Sequence, residues 1–203
     1  AIGREAMYSL TSGFGNIAIG QQALYTNEDG DKNTAVGYKA LFTFEAASDG
    51  DGQNTVTGYQ AGYYISTGLS NTCIGAEAGY GASGANTTGN NHTLIGRRAG
   101  YLIQGAAYSN TFVGSAAGDS ATTTNNLCLM GHGAGGAINS TDANGTTSFG
   151  TYSLGNLTEG QYNTAVGYAA LNDCVNSDRN TAVGYNTLAV VVGVDGDTDN
   201  TAV

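Results

Sequence analysis

Apolar residues recur along this chain in short bursts, each closed by a glycine. The clearest copy is N-T-A-V-G-Y-x-A-L, at Asn33 to Leu41 and Asn163 to Leu171, and with one change at Asn180 to Leu188. Its glycine returns as Gly3, Gly20, Gly37, Gly58, Gly75, Gly96, Gly114, Gly131, Gly150, Gly167 and Gly184, spaced 17 to 21 residues apart. The residue before the glycine is apolar in every copy but one: Ile2, Ile19, Val36, Ile74, Ile95, Val113, Met130, Phe149, Val166 and Val183, with Thr57 the exception. Threonine dominates three places before the glycine, asparagine four before, and alanine three after. So short a period, repeated this often, is the mark of a solenoid or stacked array.

Side chains alternate between the faces of a strand. Thr34 and Val36 therefore share one face, and Asn33, Ala35 and Gly37 the other. The β-branched face is expected to fill the coil. The Ala/Gly face is expected to admit a neighbouring backbone. Each repeat is expected to hold two short strands, N-T-A-V and Y-x-A-L, with the glycine at the bend between them. Glycine inside every unit and joins rich in Gly, Asn, Asp and Thr argue against helix. The predicted fold is all-β: a β-solenoid, or β-roll, of about eleven coils stacked in register.

Composition supports this. The chain has 203 residues, 33 glycines, no proline or tryptophan, and 11% charged residues, where about a quarter is usual for globular domains. At roughly 4.8 Å per coil, the array spans about 50 Å. A coil of 17 residues buries little, and a thin single solenoid would be marginal against the entropy of ordering it. Several chains packed around a shared axis through the Ala/Gly face would remedy this; the alternative is a monomeric β-helix with a dry interior. The net charge of −10 repels nucleic acid and anionic membranes and is compatible with cations or neutral glycans. No stretch is apolar enough for membrane insertion. Both ends fall inside a repeat, so residues 1–203 are expected to be one array belonging to a longer polypeptide.

The candidate chemistry is sparse. Gly131 to Gly136 match G-x-G-x-x-G, but Gly131 is a bend glycine of the repeat, so a dinucleotide site is not expected. Asp195, Asp197 and Asp199 alternate as calcium-loop carboxylates do. They are the one weak Ca²⁺ candidate, read first as a solvated turn, and no other cofactor is expected. His92 occupies the asparagine position of its repeat and His132 follows a bend glycine, neither with an evident catalytic partner, so no enzyme is expected. Cys73 and Cys128 read as small buried hydrophobes, and Cys174 as a free thiol in a joining loop. Tyrosines after the glycine (Tyr38, Tyr59, Tyr168, Tyr185) and after Ala-Gly (Tyr63, Tyr80, Tyr101) are expected to form surface ladders with a structural role. The threonine row suggests ice binding only weakly, because Val or Ile shares its face.

The unit N-T-A-V-G-Y-x-A-L, with its variant N-T-F-V-G-x-x-A-G at Asn110 to Gly118, resembles repeats of bacteriophage tail fibres. More distantly it is similar to the head repeats of trimeric autotransporter adhesins, whose small-apolar-glycine core is like Thr34 to Gly37. The resemblance covers essentially the whole chain. It implies a parallel homotrimer forming a fibre, in a virion or at the outside of a cell. The expected function is a structural segment of a tail fibre serving host attachment, with a host-surface glycan or protein as partner. The alternative is a bacterial surface adhesin head or extracellular filament of the same build.

Overall fold

The computed structural model describes residues 1–48, 50–190 and 199–203. Each repeat contributes one short strand: β1 (Ile17–Ile19), β2 (Thr34–Val36), β3 (Thr55–Thr57), β4 (Thr72–Ile74), β5 (Thr93–Ile95), β6 (Thr111–Val113), β7 (Cys128–Met130), β8 (Thr147–Phe149), β9 (Thr164–Val166), β10 (Thr181–Val183) and β11 (Thr201–Ala202). They form one parallel sheet in chain order. The pairing follows the repeat: Thr34 lies on Thr55 and Thr55 on Thr72, Ala35 on Val56 and Val56 on Cys73. The predicted β-solenoid is therefore the fold. Among the described residues the only helix is a 3₁₀ turn, Thr141–Ala143.

Two expectations are corrected. First, Y-x-A-L is not a strand. Lys39 and Leu41 have φ of 51° and 52°, and left-handed backbone at every second residue breaks the pleat. The segment instead folds into tight turns, with the Ala40 N–H donating to the Gly37 carbonyl at 3.3 Å. Second, the faces are reversed. The middle strand residue is buried in β1 to β10, while its neighbours, including Val36, Ile74, Ile95, Val113, Val166 and Val183, are half-buried or exposed. The Asn-Ala face fills the coil, and the Thr-Val face lies outside.

The asparagines explain the reversal. Asn54 Nδ2 donates to the Gly68 carbonyl at 2.9 Å, tying the strand to the join that leads to the next coil. Asn54 Oδ1 accepts the Asn71 N–H at 3.0 Å. Asn110 Nδ2 binds the Thr124 carbonyl and Asn110 Oδ1 accepts the Leu127 N–H in the same way. A buried amide so placed satisfies backbone groups that have no other partner. The strand must turn that side inward.

The remaining core comes from the alanine three places after each glycine, the residue after it, and a row seven places after the glycine. Phe44, Ile65, Ile103, Ile138 and Leu157 of that row are all buried. This row is not marked in the sequence, because its residue type changes from copy to copy, as in Leu10, Asn27, Phe44 and Ile65. Cys174 belongs to it: it lies in a join and is free, as expected, and it is buried there. Cys128, expected to be buried, stands in the outer threonine row and is only half-buried; all three cysteines are free.

The bend glycine has a double cause. Gly37 has φ +137°, and a Cβ there would stand 2.3 Å from the Gly58 carbonyl oxygen of the next coil. A side chain would both strain the backbone and push the coils apart.

Candidate functional site

Counting five residues from each bend glycine gives Tyr8, Tyr25, Phe42, Tyr63, Tyr80 and Tyr101 in the first six repeats, then Asp119, Gly136, Gly155, Asn172 and Ala189. The first six form one continuous ladder of rings, with successive centroids 4.9 to 5.4 Å apart. The expected tyrosine ladders thus exist, and this one also takes in Tyr8, Tyr25 and Phe42. Tyr38 stacks on Tyr59 and Tyr168 on Tyr185, at 5.5 and 5.4 Å. Such offset stacks add stability beyond their buried area.

The long ladder has a defined end. Arg98 lies over the Tyr101 ring, 4.2 Å from its centroid. Its Nη2 donates to Asp119 Oδ2 at 3.1 Å. Asp119 therefore takes the place of a seventh ring and is held there by the cation that covers the sixth. The pKa of Asp119 is raised, by burial first and by Glu77 as well, against the lowering influence of Arg98 and Arg97.

Beyond Asp119 the missing rings leave a groove of about 490 Å³. It is lined by the small residues Ala116, Gly133, Gly136, Gly155 and Ala169 and by Tyr152, Tyr168, Asn156, Asn172 and Asp119. Tyr152 and Tyr168 meet edge to face, with centroids 6.4 Å apart, and both remain well exposed. The Tyr152 ring packs over Gly133, where a Cβ would stand 2.8 Å from its Cδ1. The Tyr152 hydroxyl lies 3.1 Å from His132 Nε2. Asn156 and Asn172 both donate to Asp173 Oδ1, so the amides are preset. Lys and Arg are absent from the lining. The sequence signal for this site was the fifth-residue row, which carries no motif and shows only once the coil length is known.

A second surface is the outer strand face. Ile17, Ile19, Ile74, Ile95, Phe149, Val166 and Val183 stand among its exposed apolar residues, with the threonine row beside them. Val36, Val113 and Met130 of the same row are half-buried, and Thr57 interrupts it.

Of the other sequence candidates, Asp195 and Asp197 lie outside the described residues. Asp199 pairs with Arg179 Nε at 2.6 Å. Among the described residues no cluster of three or more His, Cys, Asp or Glu could hold a metal ion. The Gly131–Gly136 stretch is a bend and the turns after it, as the repeat predicts. His92 does the work of an asparagine: its N–H donates to Asn71 Oδ1 at 2.9 Å, and its Nδ1 accepts the Asn110 N–H at 3.4 Å. Its Nε2 has no partner of ordinary geometry. Burial holds its pKa down to about 4, against a weaker opposing influence from the Ala107 backbone. The ring stands neutral between Asn71 and Asn110 in the buried row of asparagines.

The chain is a parallel β-solenoid with one strand per coil. Comparison with protein-family models, with curated proteins and with solved structures finds no match for it.

Proposed function

We propose that this chain is a structural fibre segment, a parallel homotrimer of β-solenoids in a phage tail fibre that serves host attachment. The observation that carries the reading is the outer strand face. An apolar row, broken at Thr57, runs along the sheet for about 50 Å at roughly 4.8 Å per coil, exposed at Ile19, Ile74, Ile95, Phe149, Val166 and Val183 and half-buried at Val36, Val113 and Met130. Soluble monomers rarely leave so long an apolar strip in water. Three chains turning this face to a common axis bury it, and in-register strands give the assembly length and stiffness. The axis is thus lined by Thr and Val/Ile rather than by Ala and Gly, because alanine and glycine are already spent inside the coil. In this reading the chain catalyses no reaction.

A bacterial surface adhesin or extracellular filament of the same trimeric build is the second reading. An exposed, tyrosine-flanked groove suits attachment in either setting.

Light scattering on the native chain tests the assembly. Three chain masses support the reading, and Ile95→Lys should reduce them to one. A parent chain that stays monomeric at micromolar concentration sinks it.

A further inference from the structure

Among the cavities, clusters and patches of the described residues, the groove beyond Asp119 carries an inference furthest. We propose that it binds a short, uncharged oligosaccharide; the inference deepens the attachment reading and rests on it for its biological setting.

The shape comes first. The groove runs across four coils, about 14 Å from first to last at roughly 4.8 Å each, and its volume of about 490 Å³ lies in the range of small-ligand sites. Gly136 leaves the backbone bare where the preceding repeats carry rings, and Asn172 Oδ1 lies against Gly155, 2.6 Å from where a Cβ would stand, so a flat ligand can lie against the coil at Gly136 beside that amide. A pyranose has such a shape, with an apolar C–H face and a rim of hydroxyls.

The lining supplies the matching chemistry. Tyr152 and Tyr168 offer aromatic surface to the C–H face and hydroxyls to the rim. Asn172 and Asn156 offer amide carbonyls that accept from sugar hydroxyls and, with one N–H of each committed to Asp173, a second N–H that can donate to them. Asp119 adds a carboxylate acceptor at the end where the ladder stops.

Charge narrows the class. The groove has no cation in its lining, and the chain carries −10 overall. Phosphate, sulfated and sialylated ligands are repelled. A purely apolar ligand would strand the polar rim. A neutral sugar meets both conditions.

The test is isothermal titration of the native chain with maltotriose, cellotriose, chitotriose and mannotriose, each up to about 10 mM. Saturable binding of at least one is expected. Gly136→Tyr extends the ladder into the groove at a position of ordinary φ, where a Cβ meets nothing closer than 3.3 Å. It should weaken that binding at least tenfold while circular dichroism and native mass stay unchanged. Asn172→Leu, which removes the amide at the far end, should weaken binding without filling the groove. No binding of any of the four sugars, or binding that both variants retain, overturns the proposal. An aromatic-rich peptide that binds in their place would also overturn it. Native mass is read separately: a trimer that binds no sugar removes the groove and leaves the fibre, and a monomer that binds sugar does the reverse.

Discussion

The ring of Phe112 occupies the space that a side chain at residue 118 would need: a Cβ on Gly118 would stand 2.6 Å from Phe112 Cε2. Across the coil the two positions trade volume. Where the strand centre is small, as in Ala18, Ala35, Ser148 and Ala165, the position four after the bend is Leu24, Leu41, Leu154 and Leu171, all buried. Where it is larger, as in Val56, Cys73, Leu94, Phe112 and Leu129, that position is Gly62, Gly79, Gly100, Gly118 and Gly135. The Ala-Leu and Ala-Gly repeats are two solutions to one packing problem. The position has φ near +57° in Gly118 and +52° in Leu41, so leucine there bears backbone strain that glycine avoids.

The pair should therefore be coupled. Phe112→Ala alone leaves a cavity worth about 3–5 kcal/mol. Gly118→Leu alone overpacks, at about 1–3 kcal/mol or more. The double variant recreates the Ala-Leu solution and should recover at least about 1 kcal/mol of the summed loss. Urea unfolding of the four proteins measures this; strictly additive losses would remove the volume exchange.

Gly75, at a bend, should be far less tolerant of a side chain than Gly84, in an open join. Gly75→Ala places a Cβ 2.6 Å from the Gly96 carbonyl at φ +132°, whereas a Cβ on Gly84, at φ +80°, meets nothing within 4 Å. Gly75→Ala should cost at least about 3 kcal/mol, and Gly84→Ala about 1 kcal/mol from backbone strain alone. Thermal melts of the two variants, side by side, settle the order.

His92 should make the fold sensitive to acid. Burial lowers its pKa from 6.5 to about 4, so the unfolded chain binds the proton more readily than the folded one. Its contribution is intact above about 6.5 and is lost as pH falls toward 4. The loss approaches about 3 kcal/mol at most. His92→Asn restores the commoner rung and should flatten the pH dependence in that window. An unchanged stability difference between the two proteins from pH 7 to pH 4 would contradict the buried neutral ring.

The two strand faces should respond oppositely to charge. Leu94 is 1% exposed and the adjacent Ile95 is 36% exposed. Leu94→Lys puts an unpaired ammonium into the coil and should unfold the chain. Ile95→Lys should keep the circular dichroism of the parent and change only its association. Loss of secondary structure in Ile95→Lys would mean that its side chain is needed inside the coil.

The repeat, the bend glycine, the parallel register and the solenoid were legible in the order of residues alone, because Thr on Thr and Gly on Gly follow from copies of nearly equal length. That order also showed the two repeat types, though not why they exist. Alternation told that Thr34 and Val36 share a face but not whether that face turns inward. The tertiary structure decided that, because the amide of Asn54 finds its carbonyl on Gly68 only when the asparagine side closes the coil. It likewise decided that Lys39 and Leu41 sit in left-handed turns rather than a second strand. The groove depended on it most. Asp119, Gly136, Gly155 and Asn172 are far apart in the chain and share no motif, and they meet only because each coil sets the fifth residue after its glycine above the last.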